Sequence, residues 1–426
     1  MSLSRRTFFQ GAAAAASATR VAGAADRIRV GVVGVGGRGR AHVGRWLQAA
    51  GSELTALCDV NQAARERGQA IIAKEGGRPA KEFRDMREMF QSKDVDAVSI
   101  AAPNHWHALA TIWACEAGKD VYCEKPACHN VYEGLRMVEV ARKERRMVQI
   151  GSQSRSTPVA VKAMRLLREG VIGDLYMAKG LCFKRRKSIG RMPDEPVPPG
   201  IDWDMFLGPA PMKPFSKNKY AYNWHWFWDT GNGDIGNQGV HEMDLARWGM
   251  GELGMPKTVF SSGGKYLYDD DQETPNTQFA TLDYGDRQIQ FEVRGLLTGP
   301  EGGLPVTPGN TVGDLYFGSE GWMLYDHSGF KVYKGEDKAK VMEESGGGDG
   351  TLLHMENFLK ACRSRNPRDL NADVEIGVIS ANLCHLANIS YRVGRKLTLT
   401  ADGRGFMDDA EANRLMTREY RPPYVV

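Results

Sequence analysis

Two short stretches of the chain carry side chains suited to moving a proton. In Glu124-Lys125-Pro126 an amine stands between a carboxylate and a proline. It reads either as a solvated salt-bridge lysine or as a lysine fixed at a strand end beside a bound ligand. Further along, Asn237 and His241 are four residues apart. On a helix that spacing puts both on one face, within reach of one cleft. An imidazole, with an ordinary pKa of about 6.5, suits proton exchange near neutral pH. Asp244 lies one turn beyond His241, and Asp234 lies seven residues before it. His241 and Asp244 could share a metal on one helix face. A second histidine and a third ligand are missing from that motif, so no metal is expected.

A third stretch suits phosphate binding. Residues 27–33 form a β-branched run, GVGGRG follows at Gly34 to Gly39, and a helical stretch begins at Arg40. Gly34, Gly36 and Gly39 fit G-x-G-x-x-G, with Gly37 and Arg38 between them. Gly34 permits the tight turn, Gly36 lets the backbone approach a pyrophosphate, and Gly39 allows helix and strand to pack closely. A second strand, 54–58, ends in Asp59, about twenty residues past the last glycine. A carboxylate there accepts hydrogen bonds from ribose hydroxyls and repels a 2′-phosphate, which favours NAD over NADP. The alternative for Asp59 is a cap on the helix that starts near Asn61.

These motifs need elements to hold them. Helices are expected at 61–75, 84–91, 107–117 and 131–144, and strands at 95–101, 120–123 and 147–151. Strands alternating with helices imply a parallel, doubly wound sheet. Residues 25–151 therefore read as one Rossmann domain. Ligands in such sheets sit at the strand C-termini. There the loops Ala102–His107 and Tyr122–Pro126 supply Pro103, Asn104, His107, Glu124 and Lys125 to the cofactor wall. His107 is expected at a helix start near the nicotinamide. His105 and His107 as a metal pair is disfavoured, because no carboxylate lies close in sequence. Residues 152–400 read as a second domain, with strands at 174–183, 257–267, 277–284, 287–297, 312–317 and 321–326. Its helices are expected at 157–169, 237–249, 352–364 and 374–393. A polar tail, 401–426, is expected to wrap the surface.

Residues 184–232 differ from the rest. They run from basic (KRRK at 184–187) through proline-rich to strongly aromatic, and hold Trp203, Trp224, Trp226 and Trp228. Flat aromatic faces stack on the C–H faces of sugar rings, and nearby polar groups bind hydroxyls. Alternation of Trp224, Trp226 and Trp228 suggests an extended segment with one aromatic face. The alternative is that these rings pack an irregular loop. KRRK either binds an acidic group or forms a solvated face. Tyr222, Trp224, His225, Trp228 and Arg155 are candidate substrate contacts, with Asn237 and His241.

Composition narrows the class. Of 426 residues, 42% are apolar and 25% charged, which excludes disordered and fibrous chains. The net charge of +4 comes from 56 basic and 52 acidic residues, too balanced for a nucleic-acid binder. No apolar run is long enough to span a membrane. Seven cysteines with no CxxC argue for buried, reduced thiols. Residues 1–24 carry Arg5-Arg6, then Phe8-Phe9, then an alanine-rich stretch ending in Ala22-Gly23-Ala24. This looks like a twin-arginine export signal, with the twin-arginine machinery as partner and the periplasm as destination. That route carries folded proteins, so a tightly held cofactor is expected. Without residues 1–24 the charge falls from +4 to +1, as suits a protein acting on an uncharged sugar.

GVGGRG, CDV at 58–60, PNHWH, AGKDVYCEKP at 117–126 and GDIGNQGVHEMD at 233–244 together resemble the glucose–fructose oxidoreductase / inositol dehydrogenase / MocA (Gfo/Idh/MocA) family. The resemblance covers essentially the whole chain after residue 24. It implies a Rossmann domain followed by an α/β domain with a large open, mainly antiparallel mixed sheet, often assembled into dimers or tetramers. It implies NAD as cofactor and oxidation of a secondary hydroxyl on a sugar, cyclitol or sugar derivative. Lys125 and His241 would be the catalytic groups, with His241 the general base, and Asp244 a structural hydrogen-bond acceptor. Many members carry Asp where this chain has Asn237, and an amide cannot serve as a base. A three-member relay is therefore in doubt, and the burden shifts to Lys125 and His241. Some relatives are NAD-dependent glycosidases that oxidise a sugar transiently, eliminate the aglycone and reduce back. That is the alternative activity, and it needs one further base. A non-catalytic sugar-binding protein on the same fold is the third reading.

Overall fold

A computed structural model of the chain describes residues 27–305 and 310–426. The export segment expected at 1–24 lies outside the described residues. The first half is built on β1 (Ile28–Val33), β2 (Ser52–Cys58), β3 (Lys81–Phe83), β4 (Ala97–Ile100), β5 (Asp120–Cys123) and β6 (Val148–Ile150). They form one sheet in the order β3-β2-β1-β4-β5-β6, every pair parallel. Between them run α1 (Gly37–Gln48), α2 (Gln62–Lys74), α3 (Met86–Phe90), α4 (Asn104–Glu116) and α5 (Val131–Lys143). A parallel sheet is covered on both faces, so its central strands are buried. In β1 the last four residues are all buried, and so is every residue of β4 and β5. Helix starts are set by side chains. Asn61 Oδ1 accepts from Ala63 N ahead of α2, and Asn130 Oδ1 accepts from Glu133 N in α5.

The second half contains α6 (Pro158–Arg168), β7 (Leu175–Lys184), α7 (Trp203–Leu207), α8 (Gly233–Asn237) and α9 (Gly239–Gly249). Then come β8 (Thr258–Gly264), β9 (Thr277–Asp283), β10 (Gln288–Arg294), β11 (Asn310–Gly318), β12 (Gly321–Asp326), β13 (Gly329–Lys334) and β14 (Ala339–Ser345). The chain finishes with α10 (Thr351–Ser364), α11 (Val374–Val393), β15 (Leu397–Thr398) and α12 (Ala410–Arg414). Nine strands make a mixed sheet, β14-β13-β12-β11-β7-β10-β9-β8-β15, in which only β7 and β10 pair in parallel. Every second residue of β9 and β10 is buried. That period of two turns one face to a core shared with α6, α9 and α11. The fold class is thus the α/β pair expected from the sequence. The hairpin β13–β14 was not foreseen, because its sequence is charge-rich and β14 is a mostly exposed edge.

The two halves are stitched by the chain's last third. Met355, Phe358 and Leu359 of α10 join the core against β1 and β2, and Val374, Val378 and Ala381 of α11 join the core around α4 and α5. The tail does not simply wrap the surface. Tyr424 is buried and meets Trp106 edge-on at 5.4 Å. All seven cysteines are buried and unbridged.

Candidate active site

The loop after β1 has the shape its glycines require. Gly34 sits at φ +79°, and a Cβ there would lie 2.6 Å from Ala102 N. A Cβ on Gly39 would lie 1.7 Å from Gly34 O. At Gly36 and Gly37 a Cβ would meet nothing within 4 Å, so that side of the turn is open. An open, side-chain-free turn leading into α1 is what a pyrophosphate needs. Asp59 follows β2; its two oxygens accept from Val35 N at 2.6 Å and Asn61 N at 2.8 Å. Each carboxylate oxygen keeps a second lone pair for a ribose hydroxyl. Burial raises the Asp59 pKa, and the backbone N–H groups offset only part of that. The helix cap itself is Asn61. These residues fit a dinucleotide.

Two residues assigned to the cofactor wall do another job. Glu124 is buried and collects Arg38 Nε at 2.8 Å, His42 Nε2 at 2.9 Å and Gln153 Nε2 at 2.8 Å. These groups, Arg38 first, hold its pKa well below the usual carboxylate range against the cost of burial. Arg38 is therefore turned toward Glu124 and Thr351 Oγ1, not toward the glycine turn. His107 is a correction of the same kind. Both its nitrogens are closed on backbone carbonyls, Pro126 O at 2.6 Å and Ala102 O at 2.8 Å. It ties the two strand-end loops together. Asn104 is buried and donates to Asn232 Oδ1 at 3.2 Å, while Pro103 caps α4.

Lys125 and the α8–α9 pair meet. Lys125 Nζ donates to Asn237 O at 2.8 Å. Burial lowers the lysine's pKa, only partly opposed by Glu124. One turn on, the His241 ring makes no hydrogen bond to any described residue. Burial, then the neighbouring Lys125 charge, hold its pKa well below the ordinary imidazole value. It is neutral at neutral pH, the form a base must have. Asn237 Nδ2 donates to Tyr222 Oη at 3.0 Å, and Arg186 Nη1 donates to the same oxygen at 3.2 Å. Asp234, the possible substitute base, is instead bonded to Arg186 at both oxygens, 2.9 and 2.7 Å.

The aromatic segment is corrected in shape and place. Residues Asn223–Trp226 form a 3-10 turn, so Trp224, Trp226 and Trp228 do not share a face. Trp226 is buried, Trp224 stacks on His225 at 3.6 Å, and His225 Nδ1 is 2.5 Å from Tyr222 O. Trp228 packs against Tyr391 and Arg392 of α11, outside the Lys125–His241 group. Tyr222, half exposed, is the aromatic residue that reaches that group. Arg155 is also not a substrate contact. It is buried, grips Asp244 through Nε at 2.7 Å and Nη2 at 2.9 Å, and reaches Glu252 at 2.6 Å. Ser380 Oγ completes Asp244 at 2.6 Å.

Some functional contacts were not anticipated from sequence. Residues 198–220 cross to the β2–α2 turn. Gln62 N donates to Gly200 O at 2.9 Å, Asp202 N to Val60 O at 3.0 Å, and Asn61 Nδ2 to Tyr220 Oη at 2.8 Å. The segment thus reaches the Asp59 edge as well as the catalytic group. Glu242 and His327 also meet beside His241, at 3.0 Å. Among the described residues, no group of three His, Cys, Asp or Glu side chains could hold a metal.

Two family models match. Residues 28–152 match "Oxidoreductase family, NAD-binding Rossmann fold", and 178–256 with 347–426 match "Oxidoreductase family, C-terminal alpha/beta domain". An inositol 2-dehydrogenase of Saccharopolyspora erythraea is 44% identical over 153 residues, 34% of this chain and 43% of that protein. A glycosyl hydrolase family 109 protein of Shewanella sp. (strain W3-18-1) is 32% identical over 155 residues, 35% of this chain and 34% of that protein. The matched stretch therefore spans less than half of either relative. The WlbA dehydrogenase of Bordetella pertussis, solved with NADH and UDP-GlcNAcA, superposes with a TM-score of 0.64 at 21% identity, covering 88% of this chain and 100% of that one. At that identity the likeness is one of fold.

Proposed function

The chain belongs to the Gfo/Idh/MocA oxidoreductase family, and from that premise we propose that it is an NAD-dependent oxidoreductase of a secondary hydroxyl on a sugar, cyclitol or sugar derivative. The observation that carries the reading is the Lys125 Nζ to Asn237 O bond of 2.8 Å, which brings the strand-end lysine to the end of α8, four residues before His241. Gly34, Gly36, Gly37 and Asp59 would hold NAD, which when bound supplies a hydride acceptor. His241, whose ring has no hydrogen-bond partner among the described residues, takes the hydroxyl proton. Lys125 keeps two of its three N–H donors for the reacting oxygen. Asn237 orients Tyr222, and Tyr222 with Arg186 borders the substrate.

The alternative, a glycosidase working through transient oxidation, is favoured by one observation: a second positioned imidazole, His327, beside His241. Asp59 supports NAD over NADP, because it would repel a 2′-phosphate. The paired-arginine segment supports export to the periplasm with the cofactor tightly held. The wide sheet supports a homodimer or homotetramer. The test is direct. Purified protein should carry or bind NAD, and a sugar or cyclitol should reduce it in the bound state. Protein with no affinity for NAD would end both readings.

A further inference from the structure

The cleft holds an imidazole that hydride transfer does not use. His327 stands in the turn between β12 and β13. Its Nε2 is 3.0 Å from Glu242 Oε1, and its Nδ1 is 3.5 Å from Ser154 Oγ. Glu242 directly follows His241 in α9. Ser154 follows Gln153, the residue that holds Glu124 beside Lys125. Three separate elements thus bring glutamate, histidine and serine together, one residue along α9 from His241. The charge of His327 also bears on His241.

The carboxylate behind the ring is fully buried. Its Oε1 also accepts from Gln238 Nε2 at 3.2 Å, while Oε2 has no partner. Nearby, Asp314 of β11 is fully buried with neither oxygen hydrogen-bonded. Burial, then Glu242, push the Asp314 pKa well up. Glu242 is the carboxylate that orients His327. Asp326 of the same turn, Lys184 of β7 and His241 of α9 are the other charged or titratable groups around the ring. Burial opposes protonation of His327, but the Glu242 hydrogen bond and charge outweigh it and raise the pKa.

A carboxylate on Nε2 makes that nitrogen the N–H and leaves the lone pair on Nδ1. The ring is not closed over, with 41% of the side chain exposed. Structural histidines here look different. His105 and His107 are buried, and both nitrogens of each are closed on backbone carbonyls. Oxidising a hydroxyl to a carbonyl makes the hydrogen on the neighbouring carbon acidic, and a base other than the hydroxyl's base must take it.

We propose that His327, oriented by Glu242, is a second acid–base group of this cleft, which removes and returns the proton on the carbon next to the one oxidised. This rests on the oxidoreductase reading above. In the step the C–H bond breaks and its proton goes to His327 Nδ1. The electron pair forms a carbon–carbon double bond, and the carbonyl π pair moves onto oxygen as an enolate facing Lys125. Reversal returns the proton. Where the carbon beyond bears an alkoxy group, the enolate expels it with the bonding pair, and the leaving oxygen takes the proton from His327.

The test uses the holoenzyme in D₂O with myo-inositol and a set of 4-nitrophenyl glycosides. Reduction of bound NAD is followed by absorbance and deuterium at the flanking carbon by NMR. Wild type is expected to do both with at least one probe. In His327→Ala, exchange should fall about 100-fold more than reduction does, and added imidazole should restore it. In Glu242→Gln, the pH midpoint of exchange should move down, because the ring loses the charge that raises its pKa. Equal losses of exchange and reduction, with no imidazole rescue, would make His327 a structural residue and overturn the proposal. Wild type that is reduced but never exchanges overturns it alone. Wild type reduced by none of the probes removes the parent reading with it.

Discussion

Two polar clusters lie side by side along the first half of α9, and they are built on opposite principles. Around Asp244, Arg155 and Ser380 fill the carboxylate, and Glu252 takes the rest of the guanidinium. Around His241 the bonds are left incomplete. Among the described residues the imidazole has no hydrogen-bond partner, Lys125 Nζ has one, and Glu242 Oε2 has none. The first cluster closes its groups against water; the second keeps them ready for a ligand. Three residues apart on one helix, His241 and Asp244 show that burial alone does not mark a functional group. Unspent hydrogen-bonding capacity does.

The largest effects should fall on the open cluster's chemistry. Lys125→Ala and His241→Ala should each lower turnover by roughly 10²–10⁴-fold while NAD stays bound. Rates like wild type in either variant would dissolve the contrast at its catalytic end. On the closed cluster, Arg155→Met should leave Asp244 buried without its cation. It should cost about 3–5 kcal/mol of stability, read in urea, and a loss of activity at unchanged stability would turn Arg155 back into a substrate contact.

What the sequence made legible was local. The glycine turn, Glu124-Lys125-Pro126 and the Asn237–His241 spacing are short motifs whose meaning needs only their own strand or helix. What it hid depends on partners far along the chain. Arg155 is 89 residues from Asp244, and nothing near it in sequence says that its charge is already matched. His327 is 85 residues from Glu242 and sits alone in a hairpin turn, with no spacing to flag it. Of the two readings of the aromatic run, the packed irregular loop fits and the extended segment with one aromatic face does not, because Asn223–Trp226 turns tightly and sends Trp224, Trp226 and Trp228 to different surroundings. Only the parallel strands, buried on both sides, and the alternating β9 and β10 carried their architecture openly.

Smaller tests sharpen the same comparison. The closed histidines predict acid sensitivity. His105 is held down to about 3, His354 and His385 to about 4, each by burial. They stay neutral in the fold, but the unfolded chain takes up their protons below about pH 6.5. Stability should therefore be whole above that pH and decline as it falls toward 4, by about 1.4 kcal/mol per pH unit for each. A flat urea midpoint between pH 6.5 and 4.5 would contradict this. Asp59→Ala should weaken NAD binding about tenfold and relax the rejection of NADP; an unchanged preference, measured by titration with both nucleotides, would leave Asp59 a purely local acceptor. Tyr222→Phe should cost the least, about 0.5–1.5 kcal/mol in kcat/KM, through loss of the hydroxyl that accepts from Asn237 and, at an exposed position, from Arg186.

The seating of Tyr424 against Trp106, with α10 and α11 packed into the two cores of the first sheet, has a consequence for how the protein is made. The nucleotide-binding half emerges first from the ribosome, yet parts of its core arrive some three hundred residues later. It must wait, with Trp106 and the faces around β1 and α4 uncovered, until the far end of the chain is synthesised. Newly made chains should therefore lean on holding chaperones until synthesis ends, and the last stretch of translation should coincide with the acquisition of protease resistance by the first domain.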